Sequence, residues 1–126
     1  MRPLTEVVEV FAELLRKASG IPVHVGWRPA SSFPTAVLQL RSAEINPLDM
    51  AASKHLVDVS LQLDIWHTSP KACDEAVDRI IQHLEGERVR LAEQLGVLGV
   101  YFESVVDVGD SRAFRRMLLV RVRVVG

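Results

Sequence analysis

Residues 56–67, LVDVSLQLDIWH, alternate without a break: Val57, Val59, Leu61, Leu63 and Ile65 fall on one side of an extended chain, and Asp58, Ser60, Gln62 and Asp64 on the other. Successive side chains of a strand point to opposite faces, so the pattern predicts a strand with one face in a core and one face wet. A helix start follows at once. Ser69 stands at a capping position and Pro70 at the first helical one, where its missing N–H loses no bond. Cys73, Ala76, Val77, Ile80, Ile81 and Leu84 then recur at helical spacing, and Gly86 is expected to end the helix.

Upstream, Leu4, Val7, Val8, Phe11, Leu14, Leu15 and Ala18 form one apolar stripe between charged residues, which predicts an amphipathic helix over 4–18. Thr5 can cap it, and Ser19-Gly20 followed by Pro22 stops it. Short strands are expected from Val23 to Trp27 and from Thr35 to Arg41, with an exposed loop between them carrying Pro29 and Pro34. Residues 42–55, SAEINPLDMAASKH, lack alternation and contain Pro47, so they read as a long projecting connection.

Downstream, residues 87–98 fit a helical turn and an extended link equally well. Residues 99–108 and 114–125 read as two strands of a hairpin joined by Gly109-Asp110-Ser111-Arg112. If Val108 faces Phe114, Asp107 lies opposite Arg115 and Glu103 diagonal to Arg121, so that charge compensates across the hairpin. The elements bury every apolar stripe in one arrangement: an α+β fold, an antiparallel sheet of four to five strands with two helices packed on one face.

The other sheet face carries Asp58, Gln62 and Asp64 but also Val37, Trp66, Val105 and Leu119. Scattered surface apolar groups are common. The alternative reading is a subunit contact.

With 126 residues, 48% of them hydrophobic and 25% charged, the chain is expected to form a single domain. Fifteen basic and sixteen acidic side chains nearly cancel, so no overall field draws nucleic acid or anionic lipid. No apolar run approaches the ~20 residues of a membrane span, and the acids in the first ten residues do not suit a signal peptide. The lone Cys73 cannot close an internal disulfide, which fits a reducing compartment.

The sequence carries no recognisable catalytic pattern. His24, His55, His67 and His83 are not spaced as metal ligands, there is no Gly-x-Ser-x-Gly elbow, and Gly96 and Gly99 are too sparse for a phosphate loop. Asp58 and Asp64 share a face but lie roughly 20 Å apart along a strand, too far for a paired acid and base. No enzyme activity and no cofactor are expected.

The order of elements, the Pro22-Val23 pair, the strand entered through Pro34, the LVDVSLQLDIWHTSPKACDEAVDRIIQHLEG stretch and the hairpin ending in Arg-Val-Arg-Val are similar to the tail-terminator or tail-completion proteins of long-tailed phages. The resemblance covers nearly the whole chain as an order of elements, through degenerate motifs. It implies a structural virion protein resembling a tail-tube subunit: a hexameric ring that caps the finished tube and joins it to the head-side connector, with DNA passing through the lumen. It implies a place in the tail or neck of the particle, and in the host cytoplasm during assembly. The loop over 42–55, with Asn46, Leu48, Asp49 and Met50, would reach a neighbour or an adjacent ring. Asp58, Gln62, Asp64, Trp66, Arg121 and Arg123 would serve subunit contacts or the channel wall.

Three other readings stay open at the level of sequence. A small dimeric ligand-binding domain or enzyme would use His67, Asp64 or Trp66 at a pocket mouth. A nucleic-acid module would use the stretch Arg112 to Arg123. Within the structural class, a head-tail adaptor or a tube protein shares the same architecture.

Overall fold

The computed structural model describes residues 4–26, 32–48, 54–108 and 113–126. Helix α1 (Leu4–Ser19) leads into the short strand β1 (Val23–Val25), then β2 (Thr35–Pro47), β3 (His55–His67), α2 (Pro70–Gly86), α3 (Arg88–Leu95), β4 (Val97–Val108) and β5 (Phe114–Val125). The five strands form one sheet in the order β1-β2-β3-β5-β4. β3 and β5 therefore occupy the interior, and β3 is the strand with the strict alternation.

The α+β architecture is the expected one, with two additions. β1 pairs with β2 in parallel, so the sheet is mixed, and a third helix is present. Val57, Val59, Leu61, Leu63 and Ile65 are almost wholly buried and join Val7, Phe11, Leu15, Val77, Ile80 and Leu84 in one core. Leu91 and Leu95 of α3 enter the same core, so all three helices cover one side of the sheet.

The helix boundaries show where local signals compete. α1 already begins at Leu4, which places Thr5 inside its first turn and not at its cap. Ser69 does cap α2, its hydroxyl accepting from the Ala72 amide at 3.1 Å. Gly86 is the last residue of α2, as expected, but a further helix follows almost at once. Glu87 caps α2, its amide donating to the carbonyls of His83 and Leu84, and α3 follows directly because Leu91 and Leu95, one turn apart, both find the core. Gly96 ends α3 with φ 70°, and a Cβ there would stand 2.7 Å from the Val125 carbonyl oxygen. Only glycine suits both conditions.

Of the connection expected over 42–55, residues 42–47 and 55 belong to strands, and 49–53 lie outside the described residues. β2 runs to Pro47 and β3 starts at His55, and the Leu48 amide donates to the Lys54 carbonyl at 2.9 Å. The misreading has a local cause. The β2–β3 register shifts between Leu40 and Ser42, so Arg41 is an inserted bulge residue that breaks the alternation of an otherwise continuous strand. Beyond it, Ala43 and Ile45 lie opposite Val59 and Val57, on the helix side of the sheet.

The β4–β5 hairpin contains two register shifts, one between Val97 and Gly99 and one, nearer the turn, between Phe102 and Ser104. The latter corrects the expected pairing: Val108 lies opposite Arg115 and Asp107 opposite Arg116. It also moves Val105, expected on the polar face, to the helix side opposite the buried Leu118. β1 ends at Val25, and Trp27 and the turn at 109–112 lie outside the described residues.

Candidate functional site

The sheet face away from the helices takes its side chains from the even positions of β3 and the odd positions of β5. Register places Asp58 opposite Arg123, Ser60 opposite Arg121, Gln62 opposite Leu119, Asp64 opposite Met117 and Trp66 opposite Arg115. The face is a ladder of ion pairs within one chain. Arg123 donates to both carboxylate oxygens of Asp58 at 2.9 and 3.3 Å, and Arg115 donates through Nε and Nη2 to Asp64 Oδ1 at 3.1 and 2.8 Å. Arg121 stands 3.8 Å from Glu103. The Arg123 guanidinium holds the Asp58 carboxyl below its ordinary value, because its hydrogen bonds favour the charged form and outweigh the cost of desolvation.

Two residues expected at this surface are inside it. Asp64 is 0% exposed and takes a further hydrogen bond from Gln62 Nε2 at 2.8 Å. Trp66 is 1% exposed and packs with Val37, Phe33 and Ala113 in a small cluster on this side of the sheet, with the Arg115 guanidinium 5.0 Å from its ring centre. A cation so placed over an indole is attracted to the ring face. Neither side chain presents itself to a neighbour. Phe114 and His67, opposite each other at the strand ends, mark the limit of this end of the sheet.

Asp58, Gln62, Arg121 and Arg123 do reach the surface in part, and Asn46 is exposed near the end of β2. Leu48 is exposed just beyond it, while Asp49 and Met50 lie outside the described residues. Tyr101 completes the patch. Its ring folds back over Gly99, where a Cβ would meet it at 2.7 to 2.9 Å, and Arg121 and Arg123 lie 4.9 and 5.9 Å from its centre. The glycine at position 99 is thus a platform for an aromatic ring.

The sites that sequence reasoning missed are the sheet's two open edges. Among the described residues, β1 covers β2 at Ala36, Val37 and Leu38, and the rest of this 13-residue strand has no described strand on that side. At the opposite edge, β4 pairs among the described residues with β5 alone. On each of these strands one half is exposed on both faces: 40–47 of β2, apart from the half-buried Ala43, and 103–107 of β4. Ile45 is 54% exposed and Val105 49%. Beside the β2 edge, Leu4, Val8, Val25 and Leu40 line an open notch of about 370 Å³. Exposed strand edges are templates for pairing with another chain, and bulges and charges at an edge restrict such pairing.

Cys73 is buried, its thiol 3.3 Å from the Phe114 carbonyl, and burial pushes its pKa up. No group of histidine, cysteine and acidic side chains that could hold a metal occurs among the described residues. None of the described helices is long and apolar enough to cross a membrane.

No family model matches this sequence, and no curated protein is found to be similar to it. Among solved structures, the fold is similar to a chain of the virion of a native gene transfer agent particle, with a TM-score of 0.53 and 14% sequence identity. The match covers 93% of this chain and 85% of that one. At that identity the two chains share a fold, and they share it over nearly all their elements.

Proposed function

We propose that the protein is a structural component of a phage-like virion, and within that class a tail terminator: a ring, hexameric by the resemblance, that caps the tail tube and joins it to the head-side connector. The observation that carries the reading is the pair of open sheet edges at opposite ends of one sheet. Two different, complementary edges on each copy make a head-to-tail interface, and such an interface closes into a ring when the rotation between copies allows it. The whole-chain likeness to a chain of a gene transfer agent virion supports the particle as its setting.

The polar face fits a wall past which DNA moves. Its arginines are matched by Asp58, Asp64 and Glu103 within the same chain, so the face carries little unbalanced charge to hold a phosphate backbone. The partners are other copies of the chain, the tube protein and the connector.

Light scattering over a concentration series, with negative-stain imaging of large species, tests the proposal. A sixfold mass with annular particles is the expected result. A protein that stays monomeric at all concentrations, or forms a strict dimer, overturns it.

A further inference from the structure

The ring reading does not say which strand positions meet, and the exposed halves of β2 and β4 answer that. Neighbouring strands β2, β3, β5 and β4 alternate in direction, so β4 runs opposite to β2. A rotation about a ring axis preserves direction along the axis. The β4 of one copy therefore meets the β2 of the next in antiparallel fashion, which continues the sheet's own pairing.

The two exposed segments are not level. Through Leu118 and Leu63, Val105 of β4 is level with Leu38 of β2 in its own chain, which is where β1 already covers the edge. The open part of β2 lies further along. Counted on the β3 partners, Ile45 is six paired positions beyond Leu38, from Leu63 to Val57. We propose that the copies join corner to corner, residues 103–108 of one against 42–47 of the next, with Val105 opposite Ile45. This proposal rests on the ring reading and adds its register.

Three observations support that register. First, it preserves the faces: Val105 and Ile45 both lie on the helix side, and Val106 meets Glu44 on the polar side. A slip by one residue would bring opposite faces together. Second, it buries two exposed apolar side chains, Val105 and Ile45, against each other. Third, the stagger suits a closed barrel. Six positions at ~3.3 Å give a rise of roughly 20 Å per copy, and four strands at ~4.8 Å give a width of roughly 19 Å, which together mean a tilt of about 45°. Closed barrels tilt their strands by ~35–45°.

Cysteine trapping tests this directly, since Cys73 is buried and the opposed Cα atoms of an antiparallel pair fall within disulfide range. Val105→Cys and Ile45→Cys are made separately, checked for a native circular dichroism spectrum, and mixed under mild oxidation. Both positions are exposed, so folding should survive. The expected result is a covalent pair in the mixture and none in either variant alone. Cross-linking of Val105→Cys by itself would mean that two β4 edges meet, and would overturn the proposal. Rings by light scattering with no trapped pair, or with Ala43→Cys trapped in place of Ile45→Cys, would overturn the register and leave the ring reading standing. A monomer at every concentration would overturn both.

Discussion

Replacing Arg115 with methionine should cost far more than the loss of a surface charge. Asp64 is completely buried, and two of the three hydrogen bonds to its carboxylate come from Arg115, at 3.1 and 2.8 Å. The third comes from Gln62 at 2.8 Å. Methionine keeps much of the apolar stem over Trp66 but leaves a buried carboxylate with a single neutral donor. Breaking one side of a buried ion pair costs ~3–5 kcal/mol, because the remaining charge has neither water nor a partner. For a chain of this length, each kcal/mol moves the midpoint of thermal unfolding by about 4 °C, so a drop of roughly 12–20 °C is expected. Chemical and thermal denaturation followed by circular dichroism would measure it. The double variant Asp64→Leu with Arg115→Met should recover most of the loss, since an apolar pair of similar volume often replaces a buried ion pair without penalty. An Arg115→Met protein within about 1 kcal/mol of the parent would refute the argument that Asp64 is a charge held inside the fold.

Asp58 should contribute to stability in a pH-dependent way. Its carboxyl is held below the ordinary value of 3.8, so its contribution is fully present above that value and is lost as pH falls through the lowered value. Urea midpoints measured between neutral pH and the carboxylate range should fall less steeply for Asp58→Asn than for the parent. Gly96→Ala forces a side chain into φ 70° and against the Val125 carbonyl at 2.7 Å, so denaturation should show a loss of ~1–2 kcal/mol from the backbone alone, and more from the contact. The Cys73 thiol, buried and with its pKa raised, should react with a disulfide reagent only as the protein unfolds, and native-state labelling at a rate like that of a free thiol would contradict its placement. Val105→Asp should reduce the mass of any assembly while leaving the thermal midpoint of the subunit nearly unchanged, because Val105 is 49% exposed.

Much of the interior is legible in one dimension. The alternation of residues 57–65, the helical spacing from Leu4 to Ala18 and the Ser69-Pro70 start each state which side chains are buried, and those side chains form the core. Where reading failed, the cause was a single inserted residue. Arg41 in β2 and the bulge before Ser104 in β4 each shift the phase of an alternating pattern, so one strand seemed to end early and one hairpin seemed paired one position away. Residues 87–98 were ambiguous for a different reason: Leu91 and Leu95 show a helical repeat too short to outweigh the extended alternative until the core receives them.

The candidate surface divides in the same way. That Asp58, Gln62, Arg121 and Arg123 share a polar face follows from a period of two. That Asp64 and Trp66 are sealed beneath Arg115 does not, because their partner lies 51 positions away from Asp64 along the chain. By itself the sequence determined the fold class, the main buried stripes and the elements whose repeat is long and unbroken, since these depend on neighbours within a few residues. The tertiary structure alone decided which strands stand at the edges and how far β1 covers β2. An edge is a property of strand order, and strand order is settled by contacts between segments that the sequence keeps far apart.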